Sequence, residues 1–269
     1  MRTSALLLVA AAAALGGCLD SVVGGRCADG WIAEGDVCRP LPGGEIVAGP
    51  CDLCPSGLCQ EGVCIGQTAG HVVLIGHDYR VHTAAAARVL GNAAALTAQP
   101  TVRVTKIFES VDDTQNIAVD RALDAGLTAA GRTWTAIASD VGAGQVASVD
   151  VVLVLPRPAP AATSFADGAR WRAALTAFVA GGGTVIGLEG PDSSTIEFLR
   201  GAALLDVTRG SPATGDEVSI SVPTDALTVG VPSPYLAARG SMTFATTDDA
   251  VAVATSGGAP IVLHAAWPR

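Results

Sequence analysis

The chain has 269 residues, a formal net charge of −9, and 15% charged against 49% hydrophobic residues. That balance argues against nucleic-acid binding, because neutralising phosphates takes clustered Lys and Arg. Lys106 is the single lysine and falls inside an expected strand over 102–108, which leaves almost no room for Schiff-base chemistry.

The first residues carry an address. Arg2 supplies a positive end, residues 5–15 form a short apolar run, and Leu15-Gly16-Gly17-Cys18 closes it. A membrane-spanning helix needs about 20 apolar residues, so the run has the layout of a signal peptide. Its ending resembles the lipobox of bacterial lipoproteins, in which the peptide is cut before the Cys and the thiol is acylated. The resemblance implies a signal peptide over 1–17, an acyl anchor of the palmitate type on Cys18, and a cell-envelope location. Leu19 rather than Asp follows the Cys, which by the same resemblance favours the outer membrane. The alternative is an ordinary secretory peptide with Cys18 as a spare thiol.

Residues 18–68 read as a small Cys-rich module and linker. Beyond Cys18, an even set remains: Cys27, Cys38, Cys51, Cys54, Cys59 and Cys64. In an exported protein that count reads as three disulfides stapling a module too small for its own core, with the pairing left open. Cys27-Ala-Asp-Gly-Trp and Glu34-Gly-Asp-Val-Cys38 resemble one EGF-like half-loop, which implies a Cys27–Cys38 pair. The later cysteines resemble the short Cys-Gly repeats of bacterial surface lipoproteins. Cys51-x-x-Cys54 with two further thiols also has the make-up of a zinc site, a reading that export disfavours. A redox Cys-x-x-Cys pair lacks the thioredoxin-like strand and helix around it.

From residue 69 to 269 the texture is that of an α/β domain. His71-Val-Val-Leu-Ile-Gly76, Asp150-Val-Val-Leu-Val-Leu155 and Gly183-Thr-Val-Ile-Gly187 are continuous apolar runs, as expected of strands buried on both faces. Helices are expected over about 83–98, 113–130 and 165–180. Their inward positions include Val89, Leu90, Ala93 and Leu96 in the first, and Ile117, Ala118, Leu123 and Leu127 in the second. Gly181-Gly-Gly183 should stop the third. Further strands are expected at 217–222, 242–246, 251–254 and 261–264. Strands alternating with helices predict a mostly parallel sheet sandwiched by helices.

Three pieces of this domain resemble the class I glutamine amidotransferase-like superfamily, a flavodoxin-like sandwich. They are the opening strand with Gly76-His77-Asp78, the segment Gly181-Gly-Gly-Thr-Val-Ile-Gly-Leu-Glu-Gly190, and Leu227-Thr-Val-Gly-Val-Pro232. Catalytic members place a Cys on the strand-to-helix turn, where backbone amides can stabilise thiolate and oxyanion. Here Glu189 stands at that turn and no Cys follows Cys64. Thiol-based amidotransfer by this domain is excluded by composition.

Ligands of parallel sheets gather beyond the carboxyl ends of the strands. His77, Asp78, Arg157, Glu189 and Asp192 are expected there and form the candidate ligand-binding set. They could bind a small anion or cation, or pair as acid and base; equally, they could cap helices and satisfy loop amides. Ser193 and Ser194 lack a Gly-x-Ser-x-Gly elbow. Gly181–Gly183 precedes a strand, whereas a phosphate loop follows one. His71 and His82 read as boundary histidines, and the four tryptophans as packing. No catalytic residue, metal or cofactor is assigned. The expectation is a membrane-anchored, non-enzymatic lipoprotein whose α/β domain binds an unidentified protein or small molecule. The rivals are a repurposed hydrolase-like or metal-binding enzyme using the strand-end cluster, and a purely structural envelope lipoprotein. Convergence of His77, Asp78 and Glu189 would favour the enzyme.

Overall fold

A computed structural model describes residues 31–34, 37–40, 59–60 and 63–64, and residues 70–267 apart from 98, 109–112, 138–145, 147, 192 and 247–249. The chain divides into two compact units, Met1–Gln67 and Thr68–Arg269. In the first, β1 (Trp31–Glu34) pairs antiparallel with β2 (Val37–Pro40), and β3 (Cys59–Gln60) with β4 (Val63–Cys64). Cys38 lies in β2, and Cys59 stands opposite Cys64 in the register of β3 and β4. Cys18, Cys27, Cys51, Cys54 and Asp192 lie outside the described residues.

The second unit is mixed α/β. Five parallel strands form one block: β5 (Gly70–Ile75), β6 (Thr101–Ile107), β7 (Thr133–Ile137), β8 (Val151–Val154) and β9 (Thr184–Leu188). Antiparallel strands β11 (Glu217–Ile220), β12 (Tyr235–Leu236), β14 (Val251–Ser256) and β15 (Ala259–Trp267) extend it. The full order is β12-β11-β14-β15-β5-β9-β8-β6-β7. A separate ladder joins β10 (Val207–Pro212) to β13 (Met242–Thr246). Across the parallel block the strands run third, second, fourth, fifth, first in chain order. The flavodoxin order is second, first, third, fourth, fifth, so the layers match the expectation and the order of strands departs from it.

Period-2 alternation explains the sandwich. Val73 and Ile75 of β5 pack with Val104, Leu153 and Ile186 beneath helices α1 (Ala84–Ala94) and α2 (Asp113–Ala129). Val72 and Leu74 point the other way, packing with Val152, Val154 and Val185 beneath α3 (Ala161–Ala180) and α4 (Thr195–Gly201). Each apolar run therefore serves two cores at once. Thr83 caps α1, its hydroxyl accepting the Ala86 N–H at 3.2 Å. Gly181 closes α3, and Gly182 turns the chain at φ +92°, a conformation that favours glycine.

Several expectations need correction. The first helix ends at Ala94, where Ala95 caps it and a turn follows. Ile117 faces solvent, and Val119 takes the inward place with Leu123 and Leu127. The third helix begins at Ala161, directly after Pro160, whose fixed φ and missing N–H suit a helix start. Lys106 does lie in a strand as expected: it is buried in β6, with its ammonium 2.9 Å from the Asp120 carboxylate on α2.

Candidate functional site

The strand-end residues form separate clusters, each with its own partners from nearby elements. His77 follows β5 and is enclosed; its Nε2 lies 2.7 Å from the Tyr235 hydroxyl on β12, while Nδ1 has no partner. Burial pulls its pKa down to about 4, so the ring is neutral at ordinary pH. Asp78, beside it, accepts the Arg80 backbone N–H at 3.0 Å and a forked guanidinium contact from Arg80, with Nη2 at 2.7 Å. Gly240 (φ +90°) packs so closely that an added Cβ would lie 2.3 Å from Asp78 Oδ2.

Glu189 occupies the turn between β9 and α4 and is 0% exposed. Its Oε2 accepts the Ile196 N–H at 2.9 Å, and Oε1 pairs with the Arg209 guanidinium from β10. Arg209 also donates to the Pro191 carbonyl at 2.7 Å and to the Ser193 carbonyl. Burial outweighs these partners and lifts the Glu189 pKa above the ordinary glutamate value. Arg157, after β8, pairs with Asp167 of α3 and stacks 3.9 Å over the Phe108 ring. Phe108 itself sits at φ 72°, an uncommon conformation for a bulky residue, with its ring edge against Phe198.

No described hydrogen bond or ion pair joins His77 or Asp78 to Glu189 or Arg157. Among the described residues, no group of three or more His, Cys, Asp or Glu side chains is placed to hold a metal ion. Glu189 accepts a helix-start amide from its own chain and is fully enclosed. The arrangement is that of helix capping and loop clamping.

A second cluster was not legible as a unit. His71 Nδ1 lies 3.0 Å from His264 Nε2, and His264 Nδ1 lies 2.9 Å from Asp225 Oδ2. Asp225 also caps the short 3-10 turn Ala226–Thr228, accepting the Leu227 N–H at 2.8 Å. His71 and His264 are 193 residues apart; only the β5–β15 ladder brings them together, and no local motif announces it.

Comparison with known proteins adds little. No family model matches the chain, and no curated protein matches it. One solved structure similar to it is a Thermoplasma acidophilum protein, provisionally described as part of a GMP synthase. It is 12% identical, covers 60% of this chain and 75% of its own, and aligns with a TM-score of 0.40. A likeness at that score carries no argument.

Proposed function

We propose that this chain is an acyl-anchored envelope lipoprotein whose α/β unit works by binding rather than by catalysis. The observation that carries the non-enzymatic half is Glu189. At the turn where amidotransferase-like enzymes carry their nucleophile, this chain has a carboxylate closed in by Arg209 and the Ile196 amide. A neutral, buried His77 that spends its one hydrogen bond on Tyr235 supports the same reading. The envelope half rests on Leu15-Gly16-Gly17-Cys18 and on the confinement of all cysteines before residue 65. In this reading Cys18 carries the lipid in the outer membrane, and the other six cysteines are oxidised.

For the binding role, the described surface offers a hollow of about 290 Å³ near the end of α4. Phe165, Leu204 and Leu205 give it apolar walls, and Arg200 and Asp206 a charged rim. That size and mixture suit one side chain of a partner or a small amphipathic molecule. His77, Asp78, Arg157 and Glu189 do not line it.

Metabolic labelling with an alkyne-tagged palmitate tests the anchor. Label should enter the wild-type chain and not Cys18→Ser, with the mature amino terminus at Cys18; a terminus elsewhere overturns the envelope reading. Ammonia release from glutamine tests the other half. Activity of the purified chain that disappears in Glu189→Gln would overturn the non-enzymatic reading.

A further inference from the structure

Residues 222–231 form a strap across the side of the sheet covered by α1. One attachment is to α1: Asn92 donates to the Leu227 and Val229 carbonyls at 2.9 and 2.8 Å, and Arg88 to the Val229 carbonyl at 3.0 Å. On the sheet side, the Val222 N–H reaches the Val253 carbonyl of β14 at 3.4 Å, and the side-chain attachment runs through Asp225 to His264 of β15 and on to His71 of β5. Within the strap, Thr228 Oγ1 ties back to the Val222, Pro223 and Asp225 carbonyls. Leu227 is fully buried beneath it.

Tautomer logic fixes the protons. Ionised Asp225 only accepts, so His264 presents N–H at Nδ1 and a lone pair at Nε2. His71 must then donate from Nδ1, and its Nε2 becomes the free end of the chain. His71 is half-buried. The ring centroids, 5.1 Å apart, place the two facing nitrogens nearly head-on, which suits a shared proton and leaves no room for a metal ion between them.

We propose that the Asp225–His264–His71 chain is an acid-sensitive latch that holds strap 222–231 on the sheet. One extra proton is accommodated at His71 Nε2, because His71 still donates from Nδ1 to the His264 Nε2 lone pair. A second proton sets two cations on nitrogens 3.0 Å apart and leaves the bond between them without an acceptor. The side-chain attachment to the sheet is then lost, while Asn92 and Arg88 keep the strap tethered to α1 and the Val222 N–H keeps its start on β14. The titratable or charged groups meeting the strap are His71 from β5, His264 from β15, Asp225 within it, and Arg88 from α1. Burial and the neighbouring His264 already draw the His71 pKa down to about 4, with Asp225 opposing them. His71 therefore disfavours its proton in the latched state, and latching weakens as pH falls from 6.5 toward about 4.

Hydrogen exchange of the full chain at about pH 7 and about pH 4.5, corrected for intrinsic exchange, tests the latch. Protection of the Leu227, Thr228 and Val231 amides should fall roughly tenfold or more on acidification, with β8 and β9 unchanged. In His71→Gln, which keeps a neutral donor but cannot titrate in this range, that acid response should disappear. An equal response in both chains, or none in wild type, overturns the proposal. Imidazole nitrogen shifts of the wild-type protein give a check free of any folding defect. They should report His264 protonated at Nδ1 near neutral pH; protonation at Nε2 alone overturns the latch.

Discussion

At Glu189 a fully buried carboxylate depends on one half-exposed arginine. Arg209→Ala should cost about 2 kcal/mol at neutral pH, below the full penalty of stripping a partner from a buried charge, because water reaches the vacated place. Glu189→Gln should cost less, about 1 kcal/mol: the amide oxygen still accepts the Ile196 N–H and no charge is desolvated, but the amide NH2 turned toward Arg209 cannot accept from it. Urea titrations of both variants decide this; a larger loss in Glu189→Gln than in Arg209→Ala would refute it. Raised in the folded state, the Glu189 pKa gives a stability contribution present below 4.5 and lost as pH rises through the folded value. His77 runs the opposite way. Its pKa drops from 6.5 to about 4 on folding, so the unfolded chain binds the extra proton between those values. His77 should by itself contribute a decline of at most about 3 kcal/mol from pH 6.5 down to 4, over the same window in which His71 acts. His77→Gln should make that decline shallower while leaving the part due to His71, and an unchanged slope would assign all of it to other groups. The apolar runs that end beside them make His77, Asp78, Arg157 and Glu189 legible as strand-end residues. Their partners Tyr235, Arg209 and Asp167 are illegible in the sequence, because each arrives from another element through tertiary packing.

Helices α1 and α2 cross at a pair of glycines. A Cβ on Gly91 would lie 2.2 Å from the Gly126 carbonyl carbon, and one on Gly126 would lie 2.2 Å from the Ala87 carbonyl oxygen. Backbone meets backbone there, so no side chain can yield. Gly126→Ala gains about 1 kcal/mol of helix propensity, yet overpacking of this kind costs about 1–3 kcal/mol and sometimes more. The clash should win, with a net loss of about 2 kcal/mol and a lower thermal midpoint; a rise in midpoint would show that the helices can part cheaply. The same physics explains which elements the sequence disclosed. Strands β5, β8 and β9 lie between two helical layers, and burial on both faces leaves an unbroken apolar run. Edge strand β7 (Thr-Trp-Thr-Ala-Ile) is largely exposed, and β10 contains Gly and Pro and pairs only with β13. Neither had a pattern to read. Helix α4, at seven residues, is too short to display a 3.6-residue period. Ile117 misled because it kept the helical spacing while the packed face followed Val119, Leu123 and Leu127.

For the whole chain, chemistry and architecture divide at nearly the same point. All seven cysteines precede residue 65, and the contact boundary falls between Gln67 and Thr68. Every described helix lies in the unit after that boundary. That unit owes its stability to two apolar cores and contains no thiol. Disulfides stabilise mainly by restricting the unfolded chain between the linked residues, and any such loop here closes within the first unit. If the six cysteines are oxidised as proposed, reduction removes restraint from the first unit and none from the second. In urea titrations followed by helical circular dichroism, dithiothreitol should leave the midpoint and slope of the helical transition unchanged, while thiol titration reports the newly freed cysteines. A lowered midpoint on reduction would mean that the α/β unit draws stability from an oxidised neighbour.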